Sequence, residues 1–198
     1  MDLFSSPSTL VTLPLPDARI ALLDQLALPW SNETVLARLI AETAWRSEQI
    51  VLWGKRIDQP RLTAWHGEKR YTYSGLTLDP LPFTDLQLHI KQAVELACGC
   101  CFNSVLLNYY RNERDSMGMH SDDEAELGAE PAIASVSFGA TRTFILKHKR
   151  TRQTVKVDLP SGSVLLMAGP TQHHWLHGIN KSSRTIGARV NLTFRNIL

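Results

Sequence analysis

Val105-Leu106-Leu107-Asn108-Tyr109-Tyr110 and, a few residues on, Met119-His120-Ser121-Asp122-Asp123-Glu124 decide how the rest of the chain is read. The first run is short, apolar and rich in β-formers, the pattern of a buried strand. In the second, His120 and Asp122 are two residues apart. On an extended chain side chains alternate sides, so the two would point the same way. A neutral imidazole nitrogen beside an anionic oxygen begins a metal site. A third ligand would complete the two-histidine, one-carboxylate face that holds Fe(II) with positions left open. His177, in Trp175-Leu176-His177-Gly178, offers that ligand. His173 and His174 compete with it and otherwise read as strand-edge side chains, while His66, His89 and His148 read as surface or packing residues.

Outward from this stretch the pattern is mainly β. Strands are expected at 104–110, 132–138, 142–148, 153–158, 163–167, 173–177 and 185–194, with turns such as Pro160-Ser161-Gly162 between them. Many short alternating strands indicate a double-sheet jelly roll, a double-stranded β-helix of the α+β class, with the preceding helices outside one sheet. One helix should start at Ser31 or Asn32, with Val35, Leu36, Leu39 and Ile40 on its apolar side. Another starts at Thr84, which forms a capping box with Gln87. Leu86, Ile90, Val94 and Ala97 form its apolar face, and Gly99 ends it.

Residues 1–30, rich in Ser, Pro and Leu, read as a partly mobile extension that wraps the domain, with a short helix at Asp17–Leu26. Residues 31–198 read as a single domain. Within it Ile50–Trp53 is a strand ending at Gly54. Two more strands, at Arg61–Trp65 and Tyr71–Ser74, flank His66-Gly67-Glu68.

The last motif is Arg189-Val190-Asn191-Leu192-Thr193-Phe194-Arg195. Even spacing puts Arg189, Asn191, Thr193 and Arg195 on one inward face, and Val190, Leu192 and Phe194 on the other. Two inward charges are costly unless an anionic ligand or internal carboxylates meet them. Arginine grips a carboxylate through two parallel hydrogen bonds, which suits a dicarboxylate ligand. Two histidines and a carboxylate can also hold zinc for hydrolysis, with Asp123 or Glu124 as general base, but a hydrolase has no evident use for the arginine pair.

Composition narrows the classes. The chain has 198 residues, 43% of them hydrophobic, enough for one self-sufficient core. A net charge of +2 does not announce a nucleic-acid binder, so such a surface must come from local clusters. Candidates are Lys147-His148-Lys149-Arg150-Thr151-Arg152 with Lys156, and Lys55-Arg56 with Arg61. Cys98, Cys100 and Cys101 are odd in number and too close for a disulfide framework, and read as reduced thiols in a cytoplasmic protein. No signal peptide is expected, and no run approaches the ~18 apolar residues of a membrane span.

The order of parts resembles the AlkB family of Fe(II)- and 2-oxoglutarate-dependent nucleic-acid demethylases. The resemblance covers roughly residues 50–198. It rests on Asn108-Tyr109-Tyr110, His120-Ser121-Asp122-Asp123-Glu124, Ala134-Ser135-Val136-Ser137-Phe138-Gly139, Phe144-Ile145-Leu146-Lys147-His148-Lys149 and the terminal arginine motif. It is most similar to the branch that works on DNA, including the human homologues. The resemblance implies His120, Asp122 and His177 as iron ligands, the last from the His-Gly dipeptide. It implies 2-oxoglutarate as the anion, with Arg189 on its distal carboxylate and Arg195 nearer the metal, in a site shared with Asn108, Tyr110, Asn191 and Thr193. Residues 54–83 would form a substrate-recognition lid. Trp65, Tyr71, Tyr73 and Ser74 would wall a flipped base, Asp123 would accept from its exocyclic amine, and Glu124 would lie beside it. Trp53-Gly54-Lys55 would carry an aromatic wedge. The implied activity is repair of 1-methyladenine and 3-methylcytosine in methylated DNA, or RNA, by a monomer, with release of succinate, CO2 and formaldehyde. Two further readings stay open: an oxygenase acting on a protein or small molecule, and a nucleic-acid-binding module without turnover.

Overall fold

The structure is a computed structural model that describes residues 9–47, 49–52, 55–69, 71–73, 76–78 and 80–198. In chain order the elements begin with β1 (Val11–Leu13), β2 (Arg19–Leu23), α1 (Asn32–Glu42), β3 (Gln49–Leu52) and β4 (Lys55–Asp58). Next come β5 (Leu62–Gly67), β6 (Tyr71–Tyr73), β7 (Leu76–Leu78), α2 (Asp85–Cys98), β8 (Ser104–Tyr110) and β9 (Met117–His120). The chain finishes with β10 (Ile133–Gly139), β11 (Arg142–His148), β12 (Thr154–Leu159), β13 (Val164–Ala168), β14 (Trp175–Ile179) and β15 (Arg189–Arg195).

Strand alternation builds the two layers. The major sheet runs β1-β2-β13-β10-β15-β8-β5 and the minor sheet β12-β11-β14-β9. From the major sheet, Val105, Leu107, Ala134, Val136, Phe138, Val190, Leu192 and Phe194 share one core with Val35 and Leu39 of α1 and Leu86, Ile90 and Val94 of α2. The residues between them face the minor sheet. There Tyr110, Ile133, Leu165 and Met167 pack with Phe144, Leu146, Trp175 and Ile179. The result is the expected jelly roll with helices outside one sheet. Both helices start as read: Ser31 accepts from Thr34 N–H, and Thr84 and Gln87 form the reciprocal capping box, with Gly99 left-handed at φ 64°.

Several local expectations need correction. The helix expected at Asp17–Leu26 is instead strand β2, which pairs along Arg19–Leu23 with β13. A short segment beside an open sheet edge gains more from ladder hydrogen bonds and burial of Ile20 and Leu23 than from one or two isolated helical turns. The strand expected from 173 begins at Trp175, after a helical turn at Thr171–His174. The last strand starts at Arg189 rather than 185. Strands β1, β4, β7 and β9 are not among the expected ones. Among the described residues no helix is long and apolar enough to cross a membrane.

Candidate active site

His120 ends β9 and is the register partner of His177 on β14, so the pairing of two minor-sheet strands brings the imidazoles together. Their ring centroids are 4.3 Å apart. Asp122 is not on the strand with His120. It lies beyond the end of β9, in irregular backbone, so strand parity does not explain why it turns inward. Its carboxylate still reaches both imidazoles, with Oδ1 3.6 Å from His120 Nε2 and Oδ2 3.9 Å from His177 Nε2. One ligand atom from each residue lies within 4.8 Å of the others. Atoms bound to one first-row ion at ~2.0–2.2 Å sit roughly 3 Å apart, so a small contraction would close the set.

The protonation states suit a metal. His120 Nδ1 donates to the Gly118 carbonyl at 2.9 Å, which leaves Nε2 as the ligand atom. Burial, reinforced by His120 and opposed by Asp122, holds His177 down at about 3, so its ring is neutral. Burial alone would raise Asp122; Arg195 and the two histidines override it and hold the carboxyl at about 2. Asp122 Oδ1 is buried with no hydrogen-bond partner among the described residues, as expected of an atom reserved for an ion. The donor set of two imidazoles, one carboxylate and an adjoining pocket fits Fe(II).

A second group, Asp17, His148 and His174, is equally close-packed but does not fit a metal. His148 Nδ1 accepts from the backbone N–H groups of Arg150 and Thr151. Its proton is therefore on Nε2, which donates to Asp17 Oδ2 at 3.1 Å. Neither nitrogen has a lone pair to spare. His173 Nε2 is engaged with the Ala129 carbonyl.

Arg189, Asn191, Thr193 and Arg195 line the pocket that opens beside the histidines, together with Asn108 and Tyr110. The two arginines resolve differently. Arg195 meets an internal carboxylate, donating from Nη2 to Asp122 Oδ2 at 3.0 Å, and both side chains are buried. Arg189 donates from Nη2 to Ser137 Oγ at 2.9 Å and lies 5.1 Å from the centroid of the Tyr110 ring. Its Nε and Nη1 are buried and reach no acceptor at hydrogen-bond geometry among the described residues. Burial, opposed by Tyr110, holds its guanidinium down at about 10, so it stays charged at neutral pH. Asn191 is occupied internally: its amide donates to Ser135 Oγ and Val136 O and accepts from Thr193. Asn191 and Thr193 thus shape the wall, while Arg189 keeps open donors.

Other expected residues are not gathered here. Trp65 packs with Leu106, Leu127 and Ile197, and its indole donates to Lys69 O. Asp123 is exposed and outside the pocket lining; it accepts from Ser121 and lies 3.5 Å from Lys149 Nζ. Glu124 begins the short helical turn Ala125–Leu127. Lys55, Tyr71 and Tyr73 are described only in their backbone, and Trp53, Gly54 and Ser74 lie outside the described residues. Arg61 does not extend a surface basic cluster: it is buried, and its Nε donates to Asn108 Oδ1 at 2.7 Å. The sequence reading gave no role to Gln172, Phe144, Ser135 or Ser137. Strand parity opposite Ala134, Val136 and Phe138 could have placed the two serines on the face that carries the pocket, where Ser135 lines it and Ser137 accepts from Arg189. Phe144 stacks on His177 with centroids 5.2 Å apart. Gln172 is held by tertiary contacts that leave no periodic signal.

The fold is a jelly roll whose pocket joins a two-histidine, one-carboxylate cluster to two buried arginines. The chain belongs to the 2OG-Fe(II) oxygenase superfamily, whose sequence pattern it matches over residues 20–195, and within it to the AlkB family. It is 42% identical over 173 residues to the human protein named alpha-ketoglutarate-dependent dioxygenase alkB homolog 3, covering 82% of this chain and 60% of that one. It is 42% identical over 160 residues to the mouse DNA oxidative demethylase ALKBH2, covering 76% of this chain and 67% of that one. The chain spans about three fifths of the length of the alkB homolog 3 proteins it matches. Among solved structures it resembles OsALKBH1, with a TM-score of 0.66, 18% identity and coverage of 94% of this chain and 99% of the other, a likeness of fold.

Proposed function

We propose that this protein is an Fe(II)- and 2-oxoglutarate-dependent dioxygenase that removes methyl groups from N-alkylated bases, with 1-methyladenine and 3-methylcytosine in DNA as substrates. The observation that carries this reading is the pairing of the His120-Asp122-His177 cluster with the open donors of Arg189 in one pocket. Zinc hydrolysis would explain the cluster but gives no role to the buried Arg189, which meets Ser137 and the Tyr110 ring and no carboxylate among the described residues.

In this reading His120, Asp122 and His177 hold iron, and Arg189 takes the distal carboxylate of 2-oxoglutarate. Arg195 fixes one oxygen of Asp122, so that the other is left for the ion. Asn108 and Tyr110 line the cosubstrate pocket opposite β15. Iron with 2-oxoglutarate and O2 supplies oxidation of the N-methyl carbon, with succinate, CO2 and formaldehyde released. A base must leave the stack to reach this buried centre. Asp123, which follows the ligand Asp122 in sequence, accepts from its exocyclic amine, beside Glu124. In this reading Tyr71, Tyr73, Ser74 and Trp53-Gly54-Lys55 contact the substrate nucleic acid. The protein acts as a cytoplasmic monomer. Similarity to a DNA oxidative demethylase over three quarters of the chain supports DNA as substrate.

The test is incubation with Fe(II), 2-oxoglutarate and single- or double-stranded oligonucleotides, DNA and RNA, carrying 1-methyladenine or 3-methylcytosine. Mass spectrometry should show loss of the methyl group, with one formaldehyde and one succinate per base repaired. Succinate without methyl loss from any oligonucleotide would point to a protein or small-molecule substrate. Binding without succinate would leave a nucleic-acid-binding module.

A further inference from the structure

Asp122 has a backbone problem that its neighbours do not. His120 still belongs to the β9 ladder, but two residues later the chain has left the sheet and Asp122 is buried. A buried N–H without an acceptor is costly, so something must satisfy it. The acceptor is Gln172 Oε1, at 3.0 Å, on a side chain only 1% exposed. The same amide donates from Nε2 to Met167 Sδ at 3.7 Å, on a strand of the opposite sheet. Gln172 lies in the helical turn Thr171–His174, which runs directly into β14 and His177. That turn is pinned in its own right, since Thr171 Oγ1 donates to Ala168 O and accepts from Arg19 N–H.

We propose that Gln172 is a positioning residue for the metal centre, setting where Asp122 stands relative to His177. This rests on the iron-site reading above. Arg195 fixes one carboxylate oxygen of Asp122 and Gln172 fixes its backbone, so the free oxygen, Oδ1, is held toward the imidazoles from both ends. The segment carrying His120 and Asp122 is thereby joined to the segment carrying His177 by a buried hydrogen bond as well as by strand pairing. Partners that orient ligands, when removed, typically weaken metal affinity by roughly 10–100-fold.

The experiment measures Mn(II) affinity by the electron paramagnetic resonance signal of the free ion, alongside a melting curve. Gln172→Leu keeps the volume and removes the acceptor; Gln172→Glu keeps an acceptor at the same reach in either protonation state. Leucine should weaken Mn(II) binding by roughly tenfold or more. Glutamate should restore most of that affinity. If leucine lowers the melting temperature but leaves Mn(II) affinity unchanged, Gln172 only stabilises the fold and the inference fails. It fails equally if glutamate binds Mn(II) as weakly as leucine. Should the leucine variant not fold, Gln172→Met carries the same expectation. If the unaltered protein binds no Mn(II), or Asp122→Ala binds it as well, the iron-site reading itself falls, and this inference with it.

Discussion

Removing a ligand should not act alike at the three positions. His120→Ala, Asp122→Ala and His177→Ala should each abolish succinate formation, while His173→Ala should leave it, since His173 is engaged with the Ala129 carbonyl. Only Asp122→Ala also strands a buried cation. Losing one partner of a buried ion pair costs about 3–5 kcal/mol, so this variant should unfold at lower urea concentration even without metal. Full iron-dependent activity in His177→Ala with loss in His173→Ala would reverse the assignment. Arg189 is the complementary case, because among the described residues it meets no internal carboxylate. A charge-assisted bond to a buried carboxylate is worth roughly 1.5–3 kcal/mol. Arg189→Ala should therefore raise the 2-oxoglutarate concentration for half-maximal succinate formation at least about tenfold. An unchanged titration curve in a folded variant would remove Arg189 from the cosubstrate site.

Among elements, β14 depends on Gly178. Its pairing with β9 shifts register between His177 and Ile179, and Gly178 sits at that shift. A Cβ there would stand 2.9 Å from the Met117 carbonyl oxygen and 3.0 Å from that of Gly118. The β9 backbone would have to move, and His120 with it. Gly178→Ala should cost about 1–3 kcal/mol and weaken Mn(II) binding; normal values for both would show that the strands can part without disturbing the histidines. The β3–β4 hairpin makes a different forecast. Leu52 pairs with Lys55, and Trp53 and Gly54 stand between them in sequence. A large flat indole can replace stacking lost when a base leaves the duplex, worth roughly 1–3 kcal/mol per base. Trp53→Ala should leave the melting temperature nearly unchanged and slow repair of duplexes more than of single strands. Equal losses on both substrates, or a collapse in melting temperature, would return Trp53 to the core.

At the scale of the whole molecule, the N-terminal strand is tied to the minor sheet by Asp17, whose carboxylate accepts from the fully buried His148, and by the Pro16 carbonyl, which accepts from Trp175 Nε1. Asp17→Ala leaves the His148 Nε2–H without its acceptor and should cost about 1–3 kcal/mol, read as a lower urea midpoint at constant slope. Asp17→Asn keeps an acceptor and tolerates the positive φ of 53°, so it should stay near the parent; equal losses would show that charge, not the hydrogen bond, matters. The contact joins residues far apart in the chain, and nothing local announces it. The sequence alone determined the features written as periodicity or as short-range capping. These are the strand alternation from Ser104 onward, the Thr84–Gln87 box and the single inward face shared by Arg189 and Arg195, because each depends on backbone geometry within a few residues. Tertiary structure decided the rest. It turned Asp17–Leu26 into a sheet edge, gave Arg195 rather than Arg189 an internal carboxylate, and occupied Asn191 within the wall. It also placed Asp122 through Gln172 rather than through strand parity. In each case the partner comes from a distant part of the chain, and a buried polar group takes whichever partner the packed fold brings within hydrogen-bonding distance.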